Sequence, residues 1–359
     1  MSHAVDDLYV LIIAGGRGTR FWPRSRSDRP KQCLSVGGEH SLLELTIARV
    51  SALVDKNRIL VITASDMVDS VRENVLDLPP ENVLVEPEGR NTAPCVGWGA
   101  VEIGRRSEGS DAIMAVLPAD HLIQNESAFQ AQLSACAEAA RASNALVTIG
   151  VPPTRPETGF GYLQIGESLG DWGEQAFHRV ERFVEKPNQQ LAQQYVNGGA
   201  HLWNAGMFVF TVEAICDAFR THLPQTWASL ETLQDGSETV EKVYPELERI
   251  SLDYGIMEKS THVLTVKAGF DWSDVGSWTA LGEHLPTTEI GQALVQGGIA
   301  LNSEGNTVYA PEKFVALVGV SDLVVVDTED ALLICRKSEA QAVKDVVAEL
   351  EKRGRESLL

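Results

Sequence analysis

Short apolar runs alternate with segments of helical period over the first 150 residues of the chain. The apolar runs predict buried strands over residues 9–14, 58–63, 82–85, 112–117 and 146–151. The segments between them predict helices over residues 41–54, 66–76, 92–106 and 127–142. This alternation is typical of right-handed βαβ units and predicts an α/β fold with a mainly parallel sheet flanked by helices. Ligands of such sheets bind outside the carboxyl ends of the strands, where Gly15, Pro87 and Asp120 fall.

The pattern changes twice further along the chain. A mixed middle part predicts strands over residues 160–165, 177–184, 202–211 and 262–266. It also predicts helices over residues 188–197 and 275–284 and several helices between residues 213 and 249. From residue 294, short β-branched segments separated by turn residues predict a small β module, which an amphipathic helix over residues 339–353 closes. We therefore expect a catalytic domain of residues 1–287 and a small β domain of residues 288–359.

Composition excludes several classes of function. A formal net charge of -20 and a pI of about 4.8 argue against a general role on DNA or RNA, which bind basic surfaces. No apolar run approaches the roughly 20 residues that span a bilayer, and the first ten residues contain no signal-peptide core. The five cysteines are scattered without a CxxC pair, so neither a zinc site nor a disulfide framework is expected. We expect a cytoplasmic protein with neither nucleic-acid nor membrane partners.

Residues 11–32, LIIAGGRGTRFWPRSRSDRPKQ, form a basic glycine-rich loop on this acidic chain. Between Arg17 and Lys31 there are six basic residues and one acidic residue, a local charge of +5. The loop favours a polyphosphate, but the P-loop pattern GxxxxGK[ST] is absent and the dinucleotide pattern GxGxxG fails at Phe21. A surface loop with scattered arginines is the alternative, and Arg24, Arg26 and Arg29 in particular are compatible with a solvated basic rim.

The sequence AGGRGTRFWPRSRSDRPKQ resembles the N-terminal signature of the sugar-1-phosphate nucleotidyltransferases. The form with Phe-Trp-Pro and a final Pro-Lys-Gln is similar to the members that transfer GMP, and the resemblance covers about residues 8–337. It implies a Rossmann-like catalytic domain followed by a truncated left-handed β-helix. It also implies GTP and mannose 1-phosphate as substrates, GDP-mannose and pyrophosphate as products, and, by analogy, a homodimer. Longer members carry an isomerase domain, and because this chain ends before one, no isomerase activity is expected.

The transfer brings two anions together, which calls for Mg²⁺, carboxylates to hold it and cations on the phosphates. Asp120 follows a predicted strand, so a turn or a helix cap is its alternative role, and Asp274 precedes a predicted helix, so a helix cap is the alternative there. The resemblance implies that both aspartates hold the metal. It also implies that Arg20 contacts the leaving pyrophosphate and that Lys31 stabilises charge during the transfer, without a covalent enzyme intermediate.

Further residues are assigned to the two substrates by the resemblance. For the sugar phosphate, Glu185 accepts sugar hydroxyls, Lys186 binds the phosphate, Asn204 contacts the sugar and Gly161 permits a close approach. The nucleotide is assigned to residues of the glycine-rich loop and of the segment EPEGRNTAP. They are Ala14, Gly15, Gly16, Gly18, Thr19, Glu86, Pro87, Asn91 and Thr92. We expect Glu86 or backbone carbonyls near Pro87 to read the base, and Arg90, Asn91 and Thr92 to serve the base, the ribose or a helix cap. A different sugar phosphate or nucleotide, or a non-catalytic sensor of a nucleotide sugar, are the rival functions.

Overall fold

The computed structural model describes residues 7–107 and 111–359, so residues 1–6, where no signal-peptide core is predicted, lie outside it. Its strands are β1 (Leu8–Ile13), β2 (Ile59–Ala64), β3 (Val83–Glu86), β4 (Ile113–Pro118), β5 (Leu122–Ile123), β6 (Leu146–Val151), β7 (Gly161–Trp172), β8 (Gln175–Glu185), β9 (His201–Thr211), β10 (Val263–Lys267), β11 (Trp272–Ser273), β12 (Thr287–Thr288), β13 (Gly291–Leu301), β14 (Thr307–Val318), β15 (Leu323–Asp327) and β16 (Leu332–Arg336). Its α-helices are α1 (Leu42–Val50), α2 (Val68–Glu73), α3 (Thr92–Arg106), α4 (Glu126–Ser143), α5 (Gln189–Gly198), α6 (Val212–His222), α7 (Pro224–Gln234), α8 (Val240–Val243), α9 (Trp278–Gly282) and α10 (Val343–Lys352).

In the described part of the chain the main sheet has the strand order β3-β2-β1-β4-β9-β6-β10-β8-β7. Parallel pairs join β1 to β2 and β4, β2 to β3, and β6 to β10. Strand β9 runs antiparallel between β4 and β6, and β8 runs antiparallel to both β10 and β7. The predicted α/β fold with a mixed, mainly parallel sheet is confirmed.

Strand β1 lies in the middle of the parallel part, where both faces of the sheet are covered by helices. Its alternate side chains therefore enter different cores: Val10 and Ile12 pack on the face with α1 and α4, while Leu11 packs on the face with α3, α6 and α7. Burial on both faces explains why the strand reads as an unbroken apolar run in the sequence.

The predicted helices differ from the structure mainly where they are short. The helix predicted over residues 275–284 is reduced to α9, and the one over residues 66–76 to α2. The closing helix over residues 339–353 is a 3-10 segment, Lys337–Ala342, followed by α10. The helix over residues 92–106 is α3 with the same bounds.

A second sheet, β12-β13-β14-β15-β16, forms the predicted C-terminal β module. Strands β13, β14 and β15 pair in parallel in chain order, as successive coils of a solenoid do, and β16 returns antiparallel. Val324 and Val326 of β15 share a core with Phe21 and Trp22 of the glycine-rich loop. The loop therefore lies between the two sheets, and the C-terminal module packs directly on it.

Within residues 7–107 and 111–359, no helix combines the length and apolar character that a bilayer span requires.

Candidate active site

The glycine-rich loop continues from the carboxyl end of β1, and its residue Gly18 packs closely against Lys31. Gly18 has a φ of 65°, and a Cβ on it would lie 2.3 Å from the Lys31 Cβ, so only glycine fits there. Phe21 and Trp22 are buried, and the indole nitrogen of Trp278 donates to the Trp22 carbonyl at 3.1 Å. These contacts fix the 3-10 turn Thr19–Phe21 and leave Arg20 exposed.

The arginines after this turn fall into two groups. Arg24 is partly buried over the Tyr309 ring at 4.4 Å and donates to the Ser35 carbonyl, while Arg26 pairs with Asp330 at 2.9 Å. Arg29 is exposed. The interpretation as a solvated rim therefore fails for Arg24 and Arg26, which join the loop to its surroundings and to the second sheet.

Lys31 lies between the two aspartates that were predicted as metal ligands. Its side chain is buried, and Nζ donates to Asp120 Oδ2 and to the Asp274 carbonyl, each at 2.6 Å. Strand β5 begins two residues after Asp120 and pairs with β11, which ends one residue before Asp274. This small two-stranded sheet brings together side chains that are 154 positions apart in the sequence.

Helix capping does not explain either aspartate. Helix α9 is capped by Ser277, whose hydroxyl accepts from the Ala280 N–H, and α4 is capped by Asn125. Burial raises the pKa of the Asp274 carboxyl; Lys31 opposes this shift and repulsion from Asp120 adds to it. Burial also disfavours the charge on Asp120, but attraction to Lys31, a contribution from His121 and hydrogen bonds to the carboxylate together outweigh this effect and lower the pKa of Asp120. The pair is thus a partly buried, mutually repelling set of carboxylates beside one ammonium.

His121 follows Asp120 and was not singled out from the sequence. The indole nitrogen of Trp272 donates to His121 Nδ1 at 3.1 Å, and burial lowers the pKa of His121 to about 4. A neutral imidazole that accepts at Nδ1 carries its proton on Nε2. His121 therefore offers one neutral N–H donor beside the aspartates. Trp272 packs on Phe160 and also fixes this tautomer.

Two cavities meet at Asp120. One, of about 410 Å³, is lined by the turn residues Gly18, Thr19 and Arg20 and by Lys31, Asp120, His121 and Asp274. The other, of about 390 Å³, is lined by Gly15, Gly16, Glu86, Asn91, Thr92 and Asp120. The first is rich in charge and the second contains more apolar surface, which matches a phosphate compartment beside a nucleoside compartment.

Glu86 is the buried acid of the nucleoside-side cavity. Its carboxylate accepts from the Tyr244 hydroxyl at 2.5 Å and from Cys95 Sγ at 3.2 Å, and burial raises its pKa. Pro87 lies beyond it, with its carbonyl bonded to the Ser65 hydroxyl. Ala14 is buried, and its N–H and C=O are bonded to Ile62 and to Gln32 and Thr63, so it supports the loop from behind.

Asn91 and Thr92 line the same cavity and also have structural roles. The Asn91 side chain accepts from the Thr92 N–H at 2.8 Å and caps α3, while the Thr92 hydroxyl accepts from the Leu252 N–H at 2.9 Å. Arg90 donates to the Leu247 and Pro245 carbonyls. The helix-cap alternative therefore holds for Asn91, and Arg90 anchors its segment to the 3-10 turn Tyr244–Glu246 and the residue after it.

The residues predicted for the sugar phosphate also come together. A Cβ on Gly161 would lie 2.4 Å from Glu185 Oε2 and 3.2 Å from the Asn204 Cβ, so this glycine allows the two side chains to meet. Lys186 adopts a φ of 50° and donates to Glu185 at 2.7 Å. The Asn204 oxygen accepts from the Thr148 hydroxyl at 3.1 Å, which leaves its amide group to donate.

Asp253 joins the nucleoside-side cavity to this group, although no sequence pattern singled it out. Its Oδ1 accepts from Asn204 Nδ2 at 2.8 Å, and it lines the cavity that also contains Glu86. Burial and repulsion from Glu185 raise the pKa of Asp253 to about 7. The residue begins a π-helical turn, Asp253–Met257, which has no hydrophobic period that a sequence pattern can show.

Two family models cover most of the chain. The one described as nucleotidyl transferase matches residues 9–289, and the one described as MannoseP isomerase/GMP-like beta-helix domain matches residues 297–350. The chain belongs to the nucleotidyl transferase family. The sequence-based assignment to the sugar-1-phosphate nucleotidyltransferases is confirmed, and the protein is an enzyme of that class.

Individual relatives agree over nearly the whole chain. It is 36% identical to a mannose-1-phosphate guanylyltransferase of Escherichia coli (strain K12), over 98% of this chain and 75% of that protein. The xanthan biosynthesis protein XanB of Xanthomonas campestris pv. campestris (strain B100) shows the same identity and coverage. A crystal structure described as a mannose-1-phosphate geranyltransferase from Thermus thermophilus is 38% identical, with a TM-score of 0.86, and covers 96% of this chain and 99% of that one.

Proposed function

We propose that this nucleotidyltransferase transfers GMP from GTP to α-D-mannose 1-phosphate and releases GDP-mannose and pyrophosphate. The names of the similar proteins from Escherichia coli and from other bacteria support the choice of substrates. The observation that carries the chemistry is the bridge that Lys31 forms between Asp120 and Asp274 where the two cavities meet. A phosphoryl centre at this junction faces one ammonium and two carboxylates.

The pair of aspartates fits Mg²⁺ better than a metal that needs a full protein cage. Among the described residues, no group of three or more His, Cys, Asp or Glu side chains is placed to hold a metal. Mg²⁺ is commonly held by one or two carboxylates, with phosphate oxygens and water filling its other positions. Asp120 and Asp274 would provide the two carboxylates. When bound, the ion would supply positive charge that offsets their repulsion and that of the phosphates.

The protein side chains account for the rest of the proposed reaction. Lys186 holds the phosphate of mannose 1-phosphate, and Glu185 and Asn204 orient the sugar hydroxyls. An oxygen of that phosphate attacks the α-phosphorus of GTP, and the bond to the β-phosphate oxygen breaks in line on the opposite side. The attacking oxygen is already anionic at neutral pH, so neither a general base nor a covalent enzyme intermediate is needed. Lys31 and Arg20 neutralise charge on the transferred and leaving groups.

The nucleoside is assigned to the cavity of Glu86. Gly15 and Gly16 allow a close approach of the main chain, and Gly18 and Thr19 supply donors on the phosphate side. Glu86 is buried and able to accept from guanine N1–H or N2–H₂, with carbonyls near Pro87 as further acceptors. Asn91 and Thr92 line the walls of this site, and Ala14 supports the loop behind it. Homodimer formation and cytoplasmic location stay predictions.

A product panel tests the proposal. The purified full chain is incubated with Mg²⁺, one of GTP, UTP, dTTP and ATP, and one of mannose 1-phosphate and glucose 1-phosphate, and the products are separated by ion-exchange chromatography. We expect GDP-mannose to form fastest. Preference for UTP or dTTP would remove the assignment of the base, and a chain that binds GDP-mannose but makes none would be a sensor.

A further inference from the structure

Helix α10 places one lysine in the wall of the phosphate-side cavity. Lys344 lines this cavity together with Arg20, Lys31, Asp120 and Asp274, although it belongs to the C-terminal module. It lies 324 positions after Arg20 in the sequence. The cavity therefore draws its charged groups from both parts of the molecule.

The position of α10 is fixed by contacts with the glycine-rich loop. The apolar stripe of the helix, Val343, Val346, Val347 and Leu350, packs in the cluster that contains Phe21 and Trp22. Beyond the helix, the indole nitrogen of Trp22 donates to the Leu358 carbonyl at 2.9 Å, and the Ser27 N–H donates to the Leu359 carbonyl at 2.9 Å. These contacts fix the position of Lys344 relative to the glycine-rich loop.

Arg20 and Lys344 are free cations in this cavity. Neither forms an ion pair or a hydrogen bond with any residue in the described ranges 7–107 and 111–359, whereas Lys31 is occupied by the two aspartates. Two unpaired cations therefore face the same cavity, although the chain as a whole has a net charge of -20. Together they can bind an anion with several charged oxygens.

We infer that Lys344 is a phosphate ligand of the active site and binds the pyrophosphate portion of the nucleoside triphosphate. This inference rests on the proposed function. The nucleoside-side cavity begins at Gly15 and Gly16, whereas Arg20 and Lys344 lie in the other cavity, so they face the part of the triphosphate that leaves. The C-terminal module then contributes directly to substrate binding in addition to supporting the loop.

Pyrophosphate itself is the probe that tests the inference. Initial rates of the reverse reaction, GDP-mannose plus pyrophosphate, are measured for the wild type, Lys344→Met, Lys344→Gln and Lys344→Arg. Lys352→Met is the matched control, because Lys352 lies about 12 Å further along the same helix and its side chain is 76% exposed. Both neutral variants should raise the KM for pyrophosphate roughly tenfold, while Lys344→Arg and Lys352→Met stay near the wild type. The KM for GDP-mannose should change less than twofold.

A binding measurement separates this inference from the proposed function. Isothermal titration of the full chain with magnesium pyrophosphate should show a roughly tenfold loss of affinity in both neutral variants. This result is expected whether or not the chain makes GDP-mannose. The loss should shrink at high KCl, because the site is open to solvent. An unchanged affinity in Lys344→Met and Lys344→Gln would overturn the inference even if the wild type makes GDP-mannose. Conversely, a lysine-dependent affinity in a chain that makes no GDP-mannose would overturn only the proposed function.

Discussion

Replacing Gly161 by alanine should damage the sugar-phosphate site and leave the nucleotide site intact. The new Cβ would lie 2.4 Å from Glu185 Oε2, whereas ordinary van der Waals contact begins near 3.4 Å, so the carboxylate would have to move by about 1 Å. The Glu185 side chain has little freedom to do so, since it is only 7% exposed and bonded to Lys186. The new Cβ would also lie 3.2 Å from the Asn204 Cβ and from a Phe183 ring carbon, so it is crowded on these sides as well.

The magnitude follows from the crowding and from the displacement. Overpacking of this kind costs about 1–3 kcal/mol, and a misplacement of about 1 Å in a positioned group costs up to about 100-fold in rate. If Glu185 and Asn204 orient the sugar, Gly161→Ala should raise the KM for mannose 1-phosphate roughly 10- to 100-fold. The KM for GTP should stay within about twofold, since Gly161 does not line the cavity of Glu86.

Gly166→Ala is the matched control on the same strand, β7. Its Cβ would lie 2.3 Å from Glu181 Oε1, a clash of the same size, but Glu181 is exposed and its side chain can swing into solvent. Initial rates are measured with each substrate varied at saturating levels of the other. Equal kinetics for Gly161→Ala and Gly166→Ala, or an equal rise of both KM values in Gly161→Ala, would refute the placement of the sugar.

Three further predictions concern charged groups. Asp120→Asn should lower turnover by roughly 100-fold or more while the chain stays folded, and wild-type kinetics at saturating Mg²⁺ would remove Asp120 from the metal site. Lys186→Ala should raise the KM for mannose 1-phosphate roughly tenfold and that for GTP less, and an equal effect on both would show that the lysine is misplaced. The pKa of Asp253 is raised from 3.8 to about 7, so the folded state holds a proton that the unfolded state loses, and this stabilisation is lost as the pH rises from about 4 to about 7. The free energy of unfolding in urea is therefore measured against pH for the wild type and Asp253→Asn. Between pH 4 and pH 8 the variant should become more stable relative to the wild type by up to about 4 kcal/mol, whereas the same pH dependence in both proteins would contradict the raised pKa.

The sequence predicts those parts of the fold in which residue types follow a regular spacing. Strand β1 is an unbroken apolar run because both of its faces are buried, and α1 begins at a capping box in which Ser41 and Glu44 each bond the other's main-chain N–H. The glycine-rich loop is recognisable because its charge contrasts with that of the whole chain. Asp120 and Asp274 were found through their positions at the ends of elements and through the resemblance.

The missed features depend on contacts between distant segments. Six basic residues in the loop look alike in the sequence, and only burial distinguishes Arg26, which pairs with Asp330 across 304 positions, from the exposed Arg20. The tautomer of His121 depends on an indole 151 positions away. Lys344 reads as an ordinary surface residue of an amphipathic helix until α10 is packed on the loop. Periodicity carries none of this information.

The central claim is that a divalent ion held by Asp120 and Asp274 faces the phosphates beside the cationic turn. Its most direct test is a crystal structure of the enzyme with GDP-mannose and Mn²⁺ in place of Mg²⁺, in which anomalous scattering locates the metal. We expect one anomalous peak within about 2.5 Å of carboxylate oxygens of both aspartates and of a diphosphate oxygen. A diphosphate bound elsewhere, or a metal peak that contacts neither aspartate, would contradict it.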